Sequence, residues 1–436
     1  MIFFKFKIKH VILSQIVNLT KKYKLVMQRE NYIPIGTEIV IEKQLNNFKG
    51  SSLEKEKLNK LCSILSYYFH YLGHSESQEL KLNYAHYDPD RTTEERLLYT
   101  SKSDLMQFKS TLNSVIKKGN FKVLEANELQ EAIHSSDLIG LNLQINFDDF
   151  QEYKIYARGL TKQKEKIKKF YFWKKEIEIE YYERIVIYLH YQNEDYFIQK
   201  KQAIDALPFA PNSIVLKIFK RVPKNDLETI FPNAEPKMPL KDKLLLWIPG
   251  IGGGVPIITT KVVPALINIT KAYKSGNILH LEAFKSSLMQ GGAALGVLGV
   301  YLFRQYKEYT NKINDFHRML TDSLYFKNLG NNSGVFHSLI DSSEEEEIKE
   351  SILAYCFLLN HSEPMKAEDL DQEIEQWFLS EFNTAIDFEV DDALSKLKRI
   401  GLASEQDALW TVLPIDDALI CIDNLWDGIF NFSEVE

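Results

Sequence analysis

His70 and His74 stand at i and i+4 in "SILSYYFHYLGH", where apolar residues recur at helical spacing. That spacing puts both imidazoles on one helix face, as a zinc pair requires. Asp88 and Asp90 in "AHYDPD" could complete the ligand set, and the chemistry would then be metal-assisted hydrolysis. Against this, the intervening "YLG" lacks the glutamate that serves a zinc peptidase as base, and Gly73 weakens the helix. "AHYDPD" also reads as a turn fixed by Asp and Pro, so the weightier reading makes these side chains hydrogen-bonded turn or surface residues. Arg158 and Arg184 read as members of structural ion pairs. Asp226 and Glu228, just after Pro223, read as helix N-terminal caps. No Gly-x-Ser-x-Gly elbow occurs, and no residue is assigned a catalytic role.

A second stretch raises phosphate chemistry. "WIPGIGGGVPIITTKVVPALI" holds four glycines, but neither the dinucleotide spacing nor the Gly-Lys-Ser/Thr ending of a nucleotide loop is present. The apolar run Leu244 to Ile269 has Lys261 as its only charge, and Ser286 to Phe303 has none. About 20 apolar residues cross a bilayer, so the expectation is a two-helix transmembrane hairpin over 241–305. Trp247 and Tyr301 would lie at its interfaces, and Gly250 with Gly254 and Gly292 with Gly296 would allow close helix approach. Lys261 supports the alternative of a buried hairpin, because a mid-membrane lysine costs about 2.5–3.5 kcal/mol. Basic flanks place both chain ends on the cytoplasmic or matrix side.

"KQKEKIKKFYFWKK" is the sharpest surface feature, with seven lysines, one glutamate and four consecutive aromatics. Lys162, Lys164, Lys168, Lys169, Lys174 and Lys175 with Trp173 could meet anionic membrane lipid, since basic and interfacial aromatic residues both favour that surface. The competing reading is a hairpin tip with lysines on the wet side.

These features need elements to hold them. The expected fold class is α+β: a mixed N-terminal domain over 27–240, the hairpin, a helical stalk over 306–340 and a C-terminal winged-helix-like domain over 341–436. Residues 1–26, with six lysines and no acid, read as an upstream-start extension or a basic surface helix. In the stalk Tyr306, Tyr309, Ile313, Phe316, Leu320 and Leu324 approach a coiled-coil seam, which could pack on the first domain or form a homo-oligomer. Helical patterns at 344–360, 367–382 and 388–402 precede two short strands and a last helix. Glu344 to Glu347 fall in what reads as a first helical turn, where the dipole favours carboxylates.

The net charge of -7 conceals an asymmetry: Asp341 to Glu436 holds 25 acidic and five basic residues, leaving that segment at -20 and the rest at +13. A segment at -20 repels duplex phosphates, so no DNA partner is expected for this winged helix and a protein partner is. Cys62, Cys356 and Cys421 have no metal spacing and read as reduced core thiols.

"RENYIPI", "FHYLGH", "NYAHYDPD", "YARG", "YYERIVIYLHY", "KIFKRVPKNDLETIFP" and "LYFKNLGNNSGVFHSLID" occur in this order. On these motifs the chain resembles the transmembrane-protein-143-like family, domain of unknown function 3754, from Gln28 onward. The resemblance implies a two-span membrane protein, in a bacterial inner membrane or an organellar membrane, and no established activity. The expectation for function is a non-enzymatic membrane-anchored scaffold or adaptor without cofactor; the alternative is a membrane-bound metal-dependent hydrolase using His70 and His74.

Overall fold

The structure, a computed structural model, describes residues 29–125, 128–129, 142–170, 173–207, 209–237, 324–361 and 363–430, and scattered positions between 263 and 318, each of them helical. Two compact units result, one of Met1–Glu125, Asp149–Val222 and Asn328–Glu436, the other of Ala126–Asp148 and Pro223–Lys327. In chain order the elements are α1 (Thr37–Asn47), α2 (Ser52–Tyr84), α3 (Thr93–Leu98), α4 (Leu105–Lys118), β1 (Lys122–Val123), β2 (Asn142–Gln144), β3 (Phe150–Phe170), β4 (Trp173–Tyr191), α5 (Glu194–Gln199), β5 (Ile214–Pro223) and β6 (Glu235–Lys237). They continue with β7 (Asn328–Asn331), α6 (Ser333–Asn360), α7 (Ala367–Phe382), α8 (Val390–Arg399), β8 (Ala403–Gln406), β9 (Leu409–Val412) and α9 (Ile415–Asp427).

In the first unit α2 and α6 run through two cores in opposite directions. Leu58, Leu61, Cys62, Leu65 and Phe69, at helical spacing on α2, join Ile352 to Leu358 of α6 and the apolar faces of α7, α8 and α9 in one core. Leu80 and Tyr84, further along α2, meet Val335, Phe336 and Leu339 of α6, α4, and the sheet residues Tyr156, Val186, Tyr188, Ile214, Leu216 and Ile218 in the other. The sheet has the order β1-β3-β4-β5-β7, and β3 pairs antiparallel with β4 from Phe150 opposite Tyr191 to Phe170 opposite Trp173. α2 starts with a capping box: Ser51 Oγ accepts from Glu54 N at 3.3 Å and the Glu54 carboxylate accepts from Ser51 N at 2.7 Å. Ser51→Ala is expected to lower stability by about 1 kcal/mol, read as a lower urea midpoint at unchanged slope; no shift would mean that the cap is idle.

In the second unit β2 pairs antiparallel with β6, and Phe147 packs edge-on against Phe231. Lys224–Ile230 forms 3-10 turns.

The expected transmembrane hairpin is corrected here. No helix among the described residues is long and apolar enough to cross a membrane. The helices that have the length, α2 and α6, fail on apolarity, because Lys and Glu recur along both. The integral membrane location expected from the apolar runs falls with the spans. Trp247, Gly250, Gly254, Lys261 and Tyr301 lie outside the described residues. Gly292 and Gly296 have open space where a Cβ would stand, rather than a close neighbouring backbone. Val263, Ile267, Met289, Val300 and Phe303 are exposed.

The stalk is also corrected. Its last part is strand β7 and the first turns of α6, because Val335, Phe336, Leu339 and Ile340 are apolar enough to be drawn into the second core. Tyr306 of the expected seam is exposed, while Tyr309, Phe316 and Leu320 lie outside the described residues. In the C-terminal segment the order is helix, helix, helix, hairpin, with Met365 bridging to Trp410 beside β8 and β9.

Candidate functional site: an acidic C-terminal face

The glutamate run is the first thing the structure reassigns. Because α6 begins at Ser333, Glu344–Glu347 lie in mid-helix, and Glu346, Glu347 and Glu350 are buried. Buried carboxylates need cations and N–H donors, and here they find both. Lys349 Nζ donates to Glu346 at 2.7 Å and to the Ile33 carbonyl at 2.6 Å, while the Ile33 amide donates to Glu346 at 2.9 Å. Lys396 of α8 reaches Glu350 at 2.6 Å, Asp392 at 2.7 Å and Glu347 at 2.9 Å. Asn120 Nδ2 donates to Glu350 at 3.0 Å. This charged layer, set between the two cores along α6, pins the "RENYIPI" segment and α8 to one helix. Its role is cohesion.

Arg158 is structural as well, and its contacts among the described residues are ring faces and a carbonyl. Its guanidinium lies 4.8 Å from the Tyr32 ring centre and 5.0 Å from that of Phe121, and donates to the Gly119 carbonyl at 3.1 Å. Gly159, at φ +67°, gives Tyr32 the room to lie there, since a Cβ would meet its ring at 2.9 Å. Asp226 does not cap: its φ of -115° is non-helical and its Oδ1 is buried without a hydrogen-bond partner.

The four metal candidates separate into two places. His70 Nδ1 is 2.9 Å from Glu344, and the adjoining carboxylate raises the imidazole above its ordinary range. Gly73 lets Glu344 approach α2, which explains a glycine in mid-helix. His74 lies beside Gln78. Asp88 and Asp90 lie past Tyr84, itself about 15 Å along the helix from His74. There Asp88 accepts from the Asp90 amide at 3.1 Å, and Asp90 accepts from Asn332 Nδ2 at 2.8 Å. They tie the turn to the start of α6. Among the described residues no group of three or more His, Cys, Asp or Glu could hold a metal.

The lysine stretch forms the far end of the β3–β4 hairpin. Its register sets Lys162 opposite Glu180, Lys164 opposite Glu178 and Lys166 opposite Glu176. Lys162 pairs with Glu180 at 3.0 Å, which raises the ammonium above its usual range. The alternation "EIEIE" in β4 thus sets a glutamate opposite each of three lysines in the register. Lys168 stands opposite Lys174 instead, beside Lys169, Lys175 and Trp173, with no acid between Ile167 and Lys175.

The charge asymmetry is partly spent within the first unit. Arg29 pairs with Glu375 at 3.0 Å and Asp387 at 3.6 Å, Lys57 with Asp416 at 2.6 Å, and Lys43 with Glu381. What stays outside is acidic. Burial, then repulsion from Glu375 and Asp387, pushes Asp371 up to about 6. On α8 Lys396 is buried in the charged layer, and Lys398 pairs with Glu405 at 3.0 Å beneath the Trp410 ring, which leaves Arg399 exposed. α9 buries Ile415, Ala418 and Ile422 and turns Asp416, Asp417, Ile420, Asp423 and Asp427 outward, with no basic residue on the helix. Ile420 is 61% exposed among these carboxylates. Asp423 and Asp427 lie near the negative end of the helix dipole, a placement that costs about 0.3–1 kcal/mol each at low salt. Stability alone does not explain them.

Sequence reasoning gave the last helix but did not single out its acidic face, although the signal was there: acids in both end turns and no lysine or arginine. It also left Cys62 and Cys356 apart. They meet in the first core, where the hydrogen bond to Cys62, then burial, pushes the Cys356 thiol up; both are free thiols.

A family model described as "Protein of unknown function (DUF3754)" matches residues 182–334, from the middle of β4 to the start of α6. No solved structure matches the chain. The narrower transmembrane-protein-143-like designation rests on the motifs alone. Over residues 182–334 this chain is similar to the DUF3754 family, whose function is unknown.

Proposed function

We propose that the chain is a non-enzymatic adaptor whose acidic C-terminal face, centred on α9, receives a lysine- and arginine-rich segment of a protein partner. The observation that carries this reading is the outer face of α9, where Asp417, Asp423 and Asp427 surround the exposed Ile420 without a neighbouring base on the helix. Charged residues of one sign steer an oppositely charged partner, and an apolar residue among them supplies contact area. The metal-hydrolase alternative is not favoured, since His70 and His74 lie apart from Asp88 and Asp90.

A display library of random peptides selected against the full chain is expected to enrich basic sequences that an Asp423→Lys/Asp427→Lys variant no longer retains. Enrichment indifferent to the substitutions would overturn the reading. Duplex DNA at physiological salt is expected to show no measurable affinity for the full chain, because the bases of α8 are engaged in ion pairs or few. Micromolar binding lost on Arg399→Ala would make the module a duplex reader instead.

A further inference from the structure

We propose that Cys62 of α2 and Cys356 of α6 are a redox pair, which a hydroperoxide oxidises to a disulfide that latches the two long helices together. This goes beyond the adaptor reading and does not rest on it. Two contacts fix how the helices lie against each other: the Tyr84 and Phe336 ring centres stand 5.2 Å apart, and Gly73 faces Glu344. From Tyr84 back to Cys62 is about 33 Å of helix, and from Phe336 on to Cys356 about 30 Å, at ~1.5 Å per residue. The antiparallel register therefore brings the two cysteines to one level. Both are buried in the same core, and their thiols share a hydrogen bond. Packing asks only for small apolar side chains there; two adjacent sulfurs add a bond that can be made and broken.

The hydrogen bond to Cys62, then burial, keeps the Cys356 thiol protonated, so Cys62 attacks first. With hydrogen peroxide, small enough to enter through local openings of the helices, Cys62 Sγ attacks one oxygen and the O–O bond breaks. The departing hydroxide takes the thiol proton and leaves as water, and Cys62 becomes a sulfenic acid. Left among Leu61, Leu65, Ile352 and Leu353, that polar group is favoured to condense with the thiol beside it. Cys356 Sγ attacks Cys62 Sγ, the S–O bond breaks, and the second hydroxide leaves as water with the Cys356 proton. Two thiols are oxidised by two electrons and one peroxide is reduced to two waters. The bond closes a loop over most of the chain, and a disulfide stabilises more the longer its loop. Cys421 is an internal control: half-buried on α9, its thiol turns to the Ile400 carbonyl at 3.5 Å rather than to a cysteine.

The test treats the folded full chain with hydrogen peroxide, alkylates the remaining thiols and maps the links by peptide mass spectrometry without reduction. The expected result is a disulfide between Cys62 and Cys356 that dithiothreitol reverses, that Cys421→Ala leaves in place, and that raises the folded-to-unfolded ratio in urea roughly tenfold or more. Cys356→Ala is expected to abolish the link. Should that variant fail to fold, the wild type decides alone, because the peptide map and the urea midpoints before and after dithiothreitol need no substitution. Cys62 and Cys356 still open to alkylation in urea after peroxide has consumed Cys421 would overturn the pair. So would a link that forms only once the chain is unfolded, a sulfinic acid at Cys62 without a link, or a urea midpoint that the bond does not move.

Discussion

Alanine in place of Lys396 is expected to lower the unfolding free energy by about 3–5 kcal/mol, measured by urea titration. The ammonium stands 2.6–2.9 Å from Glu350, Asp392 and Glu347, and two of those carboxylates are buried. Burial alone would lower its pKa, but Glu350, Glu347 and Asp392 outweigh that and hold it raised, so the lysine stays charged. Without it, Glu347 and Glu350 remain out of water with no cation from α8. A triple variant, Lys396→Met with Glu347→Leu and Glu350→Leu, separates pairing from packing and is expected to recover most of the loss, since apolar replacement of a whole buried ion cluster is often neutral. If Lys396→Ala costs no more than a surface substitution, the charged layer does not hold α8 to α6.

The second large effect is a dependence on pH. Burial is the main cause that pushes Glu350 up from 4.5 to about 7; Lys396 and Asn120 oppose it, and Glu346 reinforces it. A carboxyl whose folded pKa is raised binds its proton more tightly in the folded chain. Its contribution is therefore fully present below pH 4.5 and is lost as pH rises through 7. The size is about 3 kcal/mol at ~1.4 kcal/mol per pH unit. Glu350→Gln removes the titrating proton, so the stability difference between wild type and variant should tilt against the wild type across that window. Parallel stability curves would show that Glu350 does not titrate there.

What could be read from the residues was what neighbouring residues decide. α7 and α8 show their apolar faces within a single window, Leu370, Ile374 and Phe378 on one and Ala393, Leu394 and Leu397 on the other, and both helices run where that spacing places them. "EIEIEYYERIVIYLHY" announces β4 by alternation. The start of α6 was hidden, since four successive glutamates favour a helix N-terminus and the groups that hold them in mid-helix come from Ile33, Asn120 and Lys396. No local window contains those partners. The apolar runs misled in the other direction: glycine- and proline-rich greasy composition suggested spans, and no helix among the described residues is long and apolar enough to cross a membrane. Of the candidate site, the charge was legible and the face was not. The count of acids in the last segment says nothing of which ones Arg29, Lys43 and Lys57 would take up.

The antiparallel course of α2 and α6 sets the order in which the chain can mature. Leu58, Leu61 and Leu65 leave the ribosome early, yet much of their cover, Ile352 to Leu358 and then the apolar faces of α7, α8 and α9, comes only near the end of the sequence. At about 5–20 residues per second, the interval from Tyr84 to Asn360 lasts roughly 15–55 s. For that time a long helix displays a bare greasy stripe, and topology of this kind slows folding because distant segments must find each other. A nascent chain of this design needs a holdase, or a slow dilute birth, until its final third arrives to shut the seam.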